Sequence, residues 1–559
     1  MVNDLWTACG WTFILGSSII IQGCSENVLY DRSNCSTLTV QMLNEEITDP
    51  QLKNPPRSSI PNPGNSPGRL VVHPSNPAYF QETSTGNAVF LRGYDHFRSR
   101  QEFDNNGIPP LDFDAFLAQL KHFNHNFLRL WVWEHFWRKA EGNEVRAEGQ
   151  ESVTLPLHVY QRTGPGTAID GQPKFDLHAF DQTYFDRLRH RVIAAGESGI
   201  WVSVMLFQGW SIHGSGKYEN SQWEGHPLNK QNNINGIAGD YDQDGRGWDV
   251  HTRINPKVNA IHDAYVKKVI DTVGDLDNVL YEISNETMAT ATTGACHHVT
   301  HVRDWAYHLI NLIHRYEQQR GYGPHPVGIS SFRPFPDDPM SVDWNAYLFD
   351  SPADYVSPNG TRWTGNEDWK KDPPAAPLGK VVIADTDHIH PSIHEGPGMR
   401  SWQWRTFTRG HSLNAVDGDP EQGADWVTPD DSATMQAMGR YVEMVDLARM
   451  KPHNTLSSTR YCLADPGHTY IVYQPSEGSE ESANGIPLEL ELASGTFYYE
   501  WFNPETNHIA ESGEIQQKTG VFTFTPPFNS HAVLFLRRQS AEKKDLSDED
   551  ERQGCNFLL

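Results

Sequence analysis

The chain has 559 residues, and its 71 acidic residues against 45 lysines and arginines give a formal net charge of −26 at pH 7. An acidic protein repels polyphosphates and anionic lipids, which argues against nucleic acid and membrane surfaces as partners. A single core stops growing near ~250–300 residues unless the chain forms a large barrel, so more than one domain is expected.

The first 68 residues resemble an export signal followed by a spacer. An apolar run over residues 11–21 precedes Gln22-Gly23-Cys24, a pattern that resembles a bacterial lipoprotein signal over 1–24 with a lipid anchor at Cys24. The run is shorter than the ~20 residues that a transmembrane helix needs. Residues 25–68 are polar and increasingly rich in Pro, Gly, Ser and Asn, which predicts a disordered linker. We expect an exported protein, either a periplasmic or cell-surface lipoprotein or a secreted one.

Short apolar runs alternate with helical stretches between residues 69 and 452. Helical spacing is clear in residues 113–123 and 260–273, where apolar residues recur three or four positions apart. This alternation predicts a (β/α)8 TIM barrel. Its eight predicted strands are 89–93, 127–131, 200–205, 279–283, 327–331, 354–357, 381–385 and 412–416.

The pattern changes to strict alternation beyond residue 452. Predicted strands at 468–473, 488–492, 496–501 and 532–536 indicate a small antiparallel β-sandwich domain over 453–538. Residues 539–559 are charged and lack periodicity, which predicts a disordered tail.

Polar and aromatic side chains cluster around the carboxyl ends of six of the eight predicted barrel strands, where barrel enzymes build their active sites. Flat aromatic rings can stack on sugar faces, although aromatic packing between barrel and helices explains part of this enrichment. Arg129 lies inside the second strand, and the others follow their strands. The predicted substrate-binding residues are Asp95, His96, Arg129, Trp131, Trp133, Glu134, Gln208, Trp210, Asn285, His388 and Asp417.

Cleavage of a glycosidic bond needs two carboxyl groups that face one another. Glu286 follows the fourth strand and is the predicted acid/base; its alternative roles are capping a helix or pairing with an arginine. Asp385 and Asp387 follow the seventh strand, and we favour Asp385 as the nucleophile, with a salt bridge to Arg129 or Arg405 as the alternative. Arg129 could hold the nucleophile ionised, since a nearby cation favours the charged form of a carboxyl group.

A run of alternating aspartates, Asp240, Asp242 and Asp244 before Gly245, resembles the first half of a calcium-binding loop. His251 stands at the twelfth position, where such a loop has a bidentate glutamate. We interpret the segment as a solvated acidic loop, with calcium as the alternative. No catalytic metal or other cofactor is predicted.

Taken together, these motifs resemble bacterial apiosidase-like proteins, which join a clan A type (β/α)8 glycoside hydrolase barrel to a C-terminal module of the collagen-binding type. Apiosidases combine Asp at the fourth strand with Glu at the seventh, whereas this chain has the reverse order. The resemblance rests on residues 70–80, 129–134, 160–166, 204–210, 278–286, 349–354, 385–388, 461–467 and 501–506.

The residues and the resemblance lead to one functional prediction and one alternative. We predict a glycoside hydrolase that cleaves a plant or marine polysaccharide-derived glycan by a two-carboxylate, retaining mechanism, for which the carboxyl groups would lie ~5–5.5 Å apart. The alternative is a non-catalytic glycan- or protein-binding surface protein on the same barrel scaffold.

Overall fold

A computed structural model describes most of the chain. The predicted signal with Cys24, residues 25–65 of the predicted linker and residues 540–559 of the predicted tail lie outside the described residues, as do the predicted site residues Trp210, Asp387, His388 and Asp417. Within the described part, no helix combines the length and apolar character needed to cross a membrane. The described residues are 66–96, 98–101, 111–135, 137–139, 152–209, 212, 221–334, 338, 343–360, 368–386, 398–415, 418–419, 424–425, 429–476 and 485–539.

Eight parallel strands close into a barrel, which confirms the predicted fold class. Every position of these strands is buried, and most positions are apolar, as expected when helices cover a parallel sheet. The barrel strands are β1 (Arg92–Tyr94), β2 (Phe127–Leu130), β3 (Trp201–Gln208), β4 (Val279–Asn285), β5 (Val327–Ser330), β6 (Tyr355–Ser357), β7 (Val381–Asp385) and β8 (Ser412–Ala415).

Helices connect the strands, and four of the described helices begin with a capping side chain. Asn255 caps the N-terminus of one long helix by accepting hydrogen bonds from Lys257 and Val258, and Pro256 occupies its first turn. The described helices are α1 (Phe113–His122), α2 (Gln182–Glu197), α3 (Ser221–Glu224), α4 (Pro256–Val273), α5 (Val299–Arg320), α6 (Ala346–Phe349), α7 (Asp368–Lys371), α8 (Met399–Thr408) and α9 (Pro429–Glu443).

The first predicted strand is displaced, because its apolar run serves two elements. Val89 pairs with Phe80 in a small antiparallel sheet formed by Leu70–Val72, Phe80–Glu82 and Ala88–Val89. The buried residues of this sheet pack against the first residues of several barrel strands and close the amino-terminal end of the barrel. The opposite end carries the predicted site.

Two barrel strands extend beyond their predicted ends. Gln208 and Asn285 are the last residues of β3 and β4, and they lie opposite each other in the parallel register. Short accessory strands lie in the connections that follow β2, β4, β5 and β8. These accessory pairs are Trp137–Lys139 with Ser152–Thr154, Tyr160–Thr167 with Pro173–Phe180, Met288–Ala289 with Arg333–Pro334, and, after β8, Gly418–Asp419 with Ala424–Asp425.

Antiparallel sheets follow the barrel, as predicted. A six-stranded sheet has the order β9-β10-β11-β16-β13-β14, and β12 pairs with β15. The prediction missed β9, β10, β14 and β15. The polar sequence of β14 lacks the alternation that marks a half-buried strand. These strands are β9 (Lys451–Pro452), β10 (Cys462–Asp465), β11 (Thr469–Gln474), β12 (Leu488–Leu492), β13 (Gly495–Asn503), β14 (His508–Gln517), β15 (Gly520–Phe524) and β16 (Ala532–Arg538).

One hydrophobic core joins the barrel to the C-terminal sheet. Trp404 of α8 stacks on Tyr473 of β11, and Tyr441 of α9 contacts Phe535 of β16. Glu500 of β13 is 1% exposed and faces the same helices. Its carboxylate accepts two hydrogen bonds from Arg440, at 2.8 and 3.0 Å, and one from the Tyr441 hydroxyl at 2.7 Å.

Replacing Glu500 with alanine should destabilise the protein by about 1–3 kcal/mol, because the Tyr441 hydroxyl would lose its partner in a buried position. Urea unfolding measures the change, with Glu491→Ala as a control on an exposed side chain of the same sheets. Equal stabilities for the two variants would contradict the prediction.

Candidate active site at the carboxyl end of the barrel

The guanidinium group of Arg129 organises the centre of the barrel mouth. Arg129 is 2% exposed and lies on β2. It donates hydrogen bonds to Glu282 at 2.7 and 2.5 Å, to Asn285 at 2.8 Å and to Asp385 at 3.1 Å. The carboxylate of Asp95 lies 3.6 Å away. Three other predicted site residues, Asp95, Asn285 and Asp385, therefore lie around the Arg129 cation.

Glu282 belongs to this network and was missed by the sequence analysis. It lies inside β4 between Tyr281 and Ile283, is 3% exposed, and accepts a hydrogen bond from the Ser330 hydroxyl at 2.5 Å. A lone acidic residue within an apolar strand is itself a signal, because a buried charge needs a partner. Arg129, the lone cation within another apolar strand, is that partner.

Burial and ion pairing act on Arg129 in opposite directions. Burial alone lowers the pKa of the guanidinium, but Glu282, Asp385 and Asp95 together raise the pKa well above its usual value. Arg129 is therefore a permanent charge at the centre of the mouth.

Asp385 is held from two sides at the end of β7. It is 2% exposed and pairs with Arg129, which is one of the two alternative contacts that the sequence left open. The amide nitrogen of Asn414, on β8, lies 3.3 Å from Asp385 and 3.5 Å from Asp95. Asn414 thus links the ends of β1 and β7.

Glu286 follows β4 directly and has an unusual backbone. Its φ of +45° lies in the left-handed region, which is uncommon for residues other than glycine and is concentrated at functional sites. Its side chain is 13% exposed, and Arg333 donates a hydrogen bond to the carboxylate at 2.5 Å. The pairing with an arginine, which the sequence left open as an alternative, is therefore present in the structure.

Gly209 allows the chain after β3 to approach Glu286. A Cβ atom at position 209 would lie 2.5 Å from the carbonyl oxygen of Glu286 and 2.4 Å from the Cα of Thr287, distances that side chains do not tolerate. The backbone of Glu286 is thus fixed partly by the absence of a side chain on the neighbouring strand.

Trp131 of the predicted site lies beside Arg129, and Trp133 lies next to Trp131. Trp131 and Trp133 are 7% and 5% exposed, and their ring centroids are 6.1 Å apart. The Arg129 guanidinium lies 5.2 Å from the Trp131 centroid, and the Trp131 indole nitrogen has no hydrogen-bond partner among the described residues. His96 is placed differently, since its ring contacts Phe116 of α1.

Glu134 forms a second buried cluster next to the first. Its carboxylate accepts a hydrogen bond from the backbone N–H of Gln208 at 2.5 Å and lies 3.3 Å from His226 and 3.0 Å from His251. Burial raises the pKa of Glu134, but His251 and His226 together hold this pKa well below its usual value. The carboxylate is therefore ionised and surrounded by donors from the protein.

The acidic loop brings together a different set of carboxylates from the predicted one. Ligand oxygens of Asp240, Asp242 and Asp249 lie within 4.8 Å of one another and could hold a metal ion. Asp249 takes the place predicted for Asp244, whose carboxylate accepts a hydrogen bond from the backbone of Arg246. Asp249 is 2% exposed and accepts backbone hydrogen bonds from Tyr241 and Asp242. Sequence spacing missed it because it follows the aspartate run by five residues.

Comparison with known protein families gives a partial match. A family model described as a domain of unknown function, DUF6298, matches residues 119–334. The matched segment contains Arg129, Glu282, Glu286 and Arg333 but ends before β7. No curated protein matches the chain.

Solved structures of glycoside hydrolases share the architecture. A family 5 glycoside hydrolase from Bacteroides vulgatus ATCC 8482 has 14% identity over 86% of this chain and 95% of its own, with a TM-score of 0.50. A candidate glycoside hydrolase from the same organism has 12% identity over 86% of this chain and 84% of its own, with a TM-score of 0.51. A third, described as a glycoside hydrolase, has 13% identity over 85% and 98%, with a TM-score of 0.50.

These glycoside hydrolases thus share the (β/α)8 fold of this chain, and at these identities the likeness concerns the fold alone. The narrower resemblance to apiosidases, and to collagen-binding modules at the C-terminus, stays a prediction.

Substituting alanine for Gly209 should displace the backbone of Glu286, because the new methyl group collides with it. We expect a destabilisation of about 1–3 kcal/mol from overpacking and faster amide exchange in residues 283–289. Gly513→Ala is the control, since a Cβ atom at position 513 would meet only side-chain atoms of Tyr499, at 3.1 Å or more, and no backbone. Unchanged exchange in residues 283–289 of the Gly209 variant would refute this account.

The acidic loop should make stability depend on pH. Burial and the charges of Asp242 and Asp240 raise the pKa of Asp249. Burial and the charge of Asp244 raise the pKa of Asp242 to about 6. Folded pKa values above the unfolded ones stabilise the protein at low pH, and this stabilisation is lost as the pH rises through the folded values. Without metal, the free energy of unfolding should therefore fall as the pH rises from about 4, the unfolded pKa of Asp, through about 6, the folded pKa of Asp242, and Asp249→Asn should reduce the fall.

Urea unfolding in EDTA at several pH values measures this effect. The same pH dependence in the wild type and in Asp249→Asn would contradict it. Repeating the series with calcium tests the alternative interpretation of the loop, because a bound cation would raise the stability of the wild type but not that of the variant.

Proposed function

We propose that this protein is a glycoside hydrolase in which Glu286 is the general acid/base and Asp385 or Asp387 is the nucleophile. The observation that carries the proposal is the placement of Glu286. It lies at the carboxyl end of a barrel strand, in a strained backbone conformation, and its neighbour Asn285 shares the Arg129 guanidinium with Asp385. Barrel enzymes place catalytic groups at this end of several different strands.

In this proposal the two carboxyl groups divide the reaction between them. Glu286 donates a proton to the leaving oxygen, and the seventh-strand aspartate attacks the anomeric carbon to form a covalent intermediate. Glu286 then removes a proton from the water that releases the sugar. Arg129 and Asn414 hold Asp385 in place, so if Asp385 is the nucleophile its orientation is set before the substrate binds.

The substrate in this proposal is a plant or marine polysaccharide-derived glycan, and the protein meets it after export from the cell. Trp131 lies beside Arg129, where its ring could meet a sugar that enters the mouth of the barrel. Amphipathic aromatic rings suit carbohydrate, which has apolar faces and polar edges.

One observation favours the non-catalytic alternative. Glu286 and Asp385 are each engaged by an arginine, Arg333 and Arg129 respectively, and a carboxylate held in an ion pair is also what a purely structural role would show. The same barrel would then bind a glycan or a protein without cleaving it.

Turnover by variants separates the two functions. Purified protein is assayed against aryl glycosides and against plant and algal oligosaccharides, together with Glu286→Gln, Asp385→Asn and Asp387→Asn. We expect the wild type to release one sugar. The turnover rate should fall about 10²–10⁴-fold in Glu286→Gln, which is the range that general acid–base catalysis contributes. The turnover rate should fall at least as far in the variant that lacks the nucleophile. Glu197→Gln, on the exposed end of α2, is the control.

Two further results complete this experiment. Anomer-resolved NMR of the released sugar tests retention, since a covalent intermediate preserves the anomeric configuration. Binding of an oligosaccharide with no turnover by the wild type would instead support the glycan-binding alternative.

A further inference from the structure

We infer that Glu134 is a positioning residue, which fixes the end of β3 and through it the backbone of Glu286. This inference rests on the proposed function, because it assigns Glu134 a task within that site. It replaces the prediction that Glu134 binds substrate.

The contacts of Glu134 come from the protein itself. One carboxylate oxygen accepts a hydrogen bond from the backbone N–H of Gln208, and the other lies 3.3 Å from His226 Nε2. His251 Nε2 lies close to both oxygens, at 3.0 and 3.2 Å. The side chain is 10% exposed. Both oxygens are thus engaged by groups of this chain, which leaves little of the carboxylate for a sugar.

Both histidines are themselves held in place. His226 stacks on Trp223 at 5.2 Å, and His251 stacks on Trp305 at 4.6 Å. The backbone N–H of Leu228 donates to Nδ1 of His226, so the proton of the neutral ring is on Nε2, facing Glu134. Glu134 therefore receives a donor of defined orientation from the long connection between β3 and α4.

A short series of contacts leads from Glu134 to the proposed acid. The backbone N–H of Gln208 donates a hydrogen bond to Glu134. Gln208 is the last residue of β3 and lies opposite Asn285 in the parallel register. The next residue, Gly209, touches the backbone of Glu286 and Thr287 so closely that it has no room for a side chain. Displacement of Gln208 would therefore be transmitted to Glu286 by direct contact.

A glutamine at position 134 tests this role because it keeps the size of the side chain. The carboxylate has two acceptor oxygens, whereas the amide of glutamine has one acceptor oxygen and one NH2 group. In the variant the NH2 group would face an N–H donor, which then has no acceptor. We expect Glu134→Gln to fold but to hold Gln208 and His226 or His251 less firmly.

The decisive measurement compares two glycosides of the same sugar, one with a 2,4-dinitrophenyl and one with a methyl leaving group. A displaced Glu286 impairs protonation of the leaving oxygen, which the methyl glycoside needs and the dinitrophenyl glycoside hardly needs. We expect kcat/KM to fall about 10–100-fold for the methyl glycoside and far less for the dinitrophenyl glycoside. Glu197→Gln should leave both values unchanged.

Equal losses on the two glycosides would overturn the inference, because a residue that binds the shared sugar or merely stabilises the fold affects both alike. Hydrogen exchange gives a second test that needs no turnover: residues 203–209 and 279–289 should exchange faster in Glu134→Gln, and unchanged exchange would also overturn the inference. If the wild type cleaves no glycoside, the proposed function fails, and the exchange experiment still decides whether Glu134 positions the end of β3.

Discussion

The mouth of the barrel depends on one buried positive charge. Arg129 is the cation around which Asp95, Glu282 and Asp385 are arranged, and these residues come from four strands of the barrel. Removing a buried cation from such a network leaves carboxylates without compensation, which is far more costly than the loss of one hydrogen bond. The same contacts that stabilise the barrel interior therefore also set the positions of the proposed catalytic groups.

A second level of organisation lies around this network. Glu134 connects the end of β3 to the loop histidines, and Gly209 brings that strand end against Glu286. The long connection after β3 is thus attached at the mouth through defined polar contacts. Rigid attachment of this kind is what a site needs to hold a carboxyl group in a strained backbone conformation.

The sequence predicted the barrel well because parallel strands buried on both faces stand out as apolar runs. It also predicted that Arg129, Asn285 and Asp385 belong to one site at this end of the barrel, and it gave Arg129 as a possible partner of Asp385. The prediction failed where contacts join residues that are far apart in the chain. No local pattern shows that Asn414 links Asp95 to Asp385, or that two histidines contact Glu134. Asp249 was missed for a related reason, because a turn of the chain, and no regular spacing, brings it to the acidic loop.

The shared core between the barrel and the C-terminal sheet has a consequence for how the protein unfolds and evolves. Trp404 and Tyr441 on the barrel helices are buried by sheet residues, and Glu500 carries a charge into that contact. The sheet cannot detach without exposing aromatic surface and an unpaired carboxylate, so both parts should melt in a single cooperative transition. For the same reason the sheet is poorly suited to exchange between proteins as an independent module, since a new host barrel would need matching residues on its last two helices.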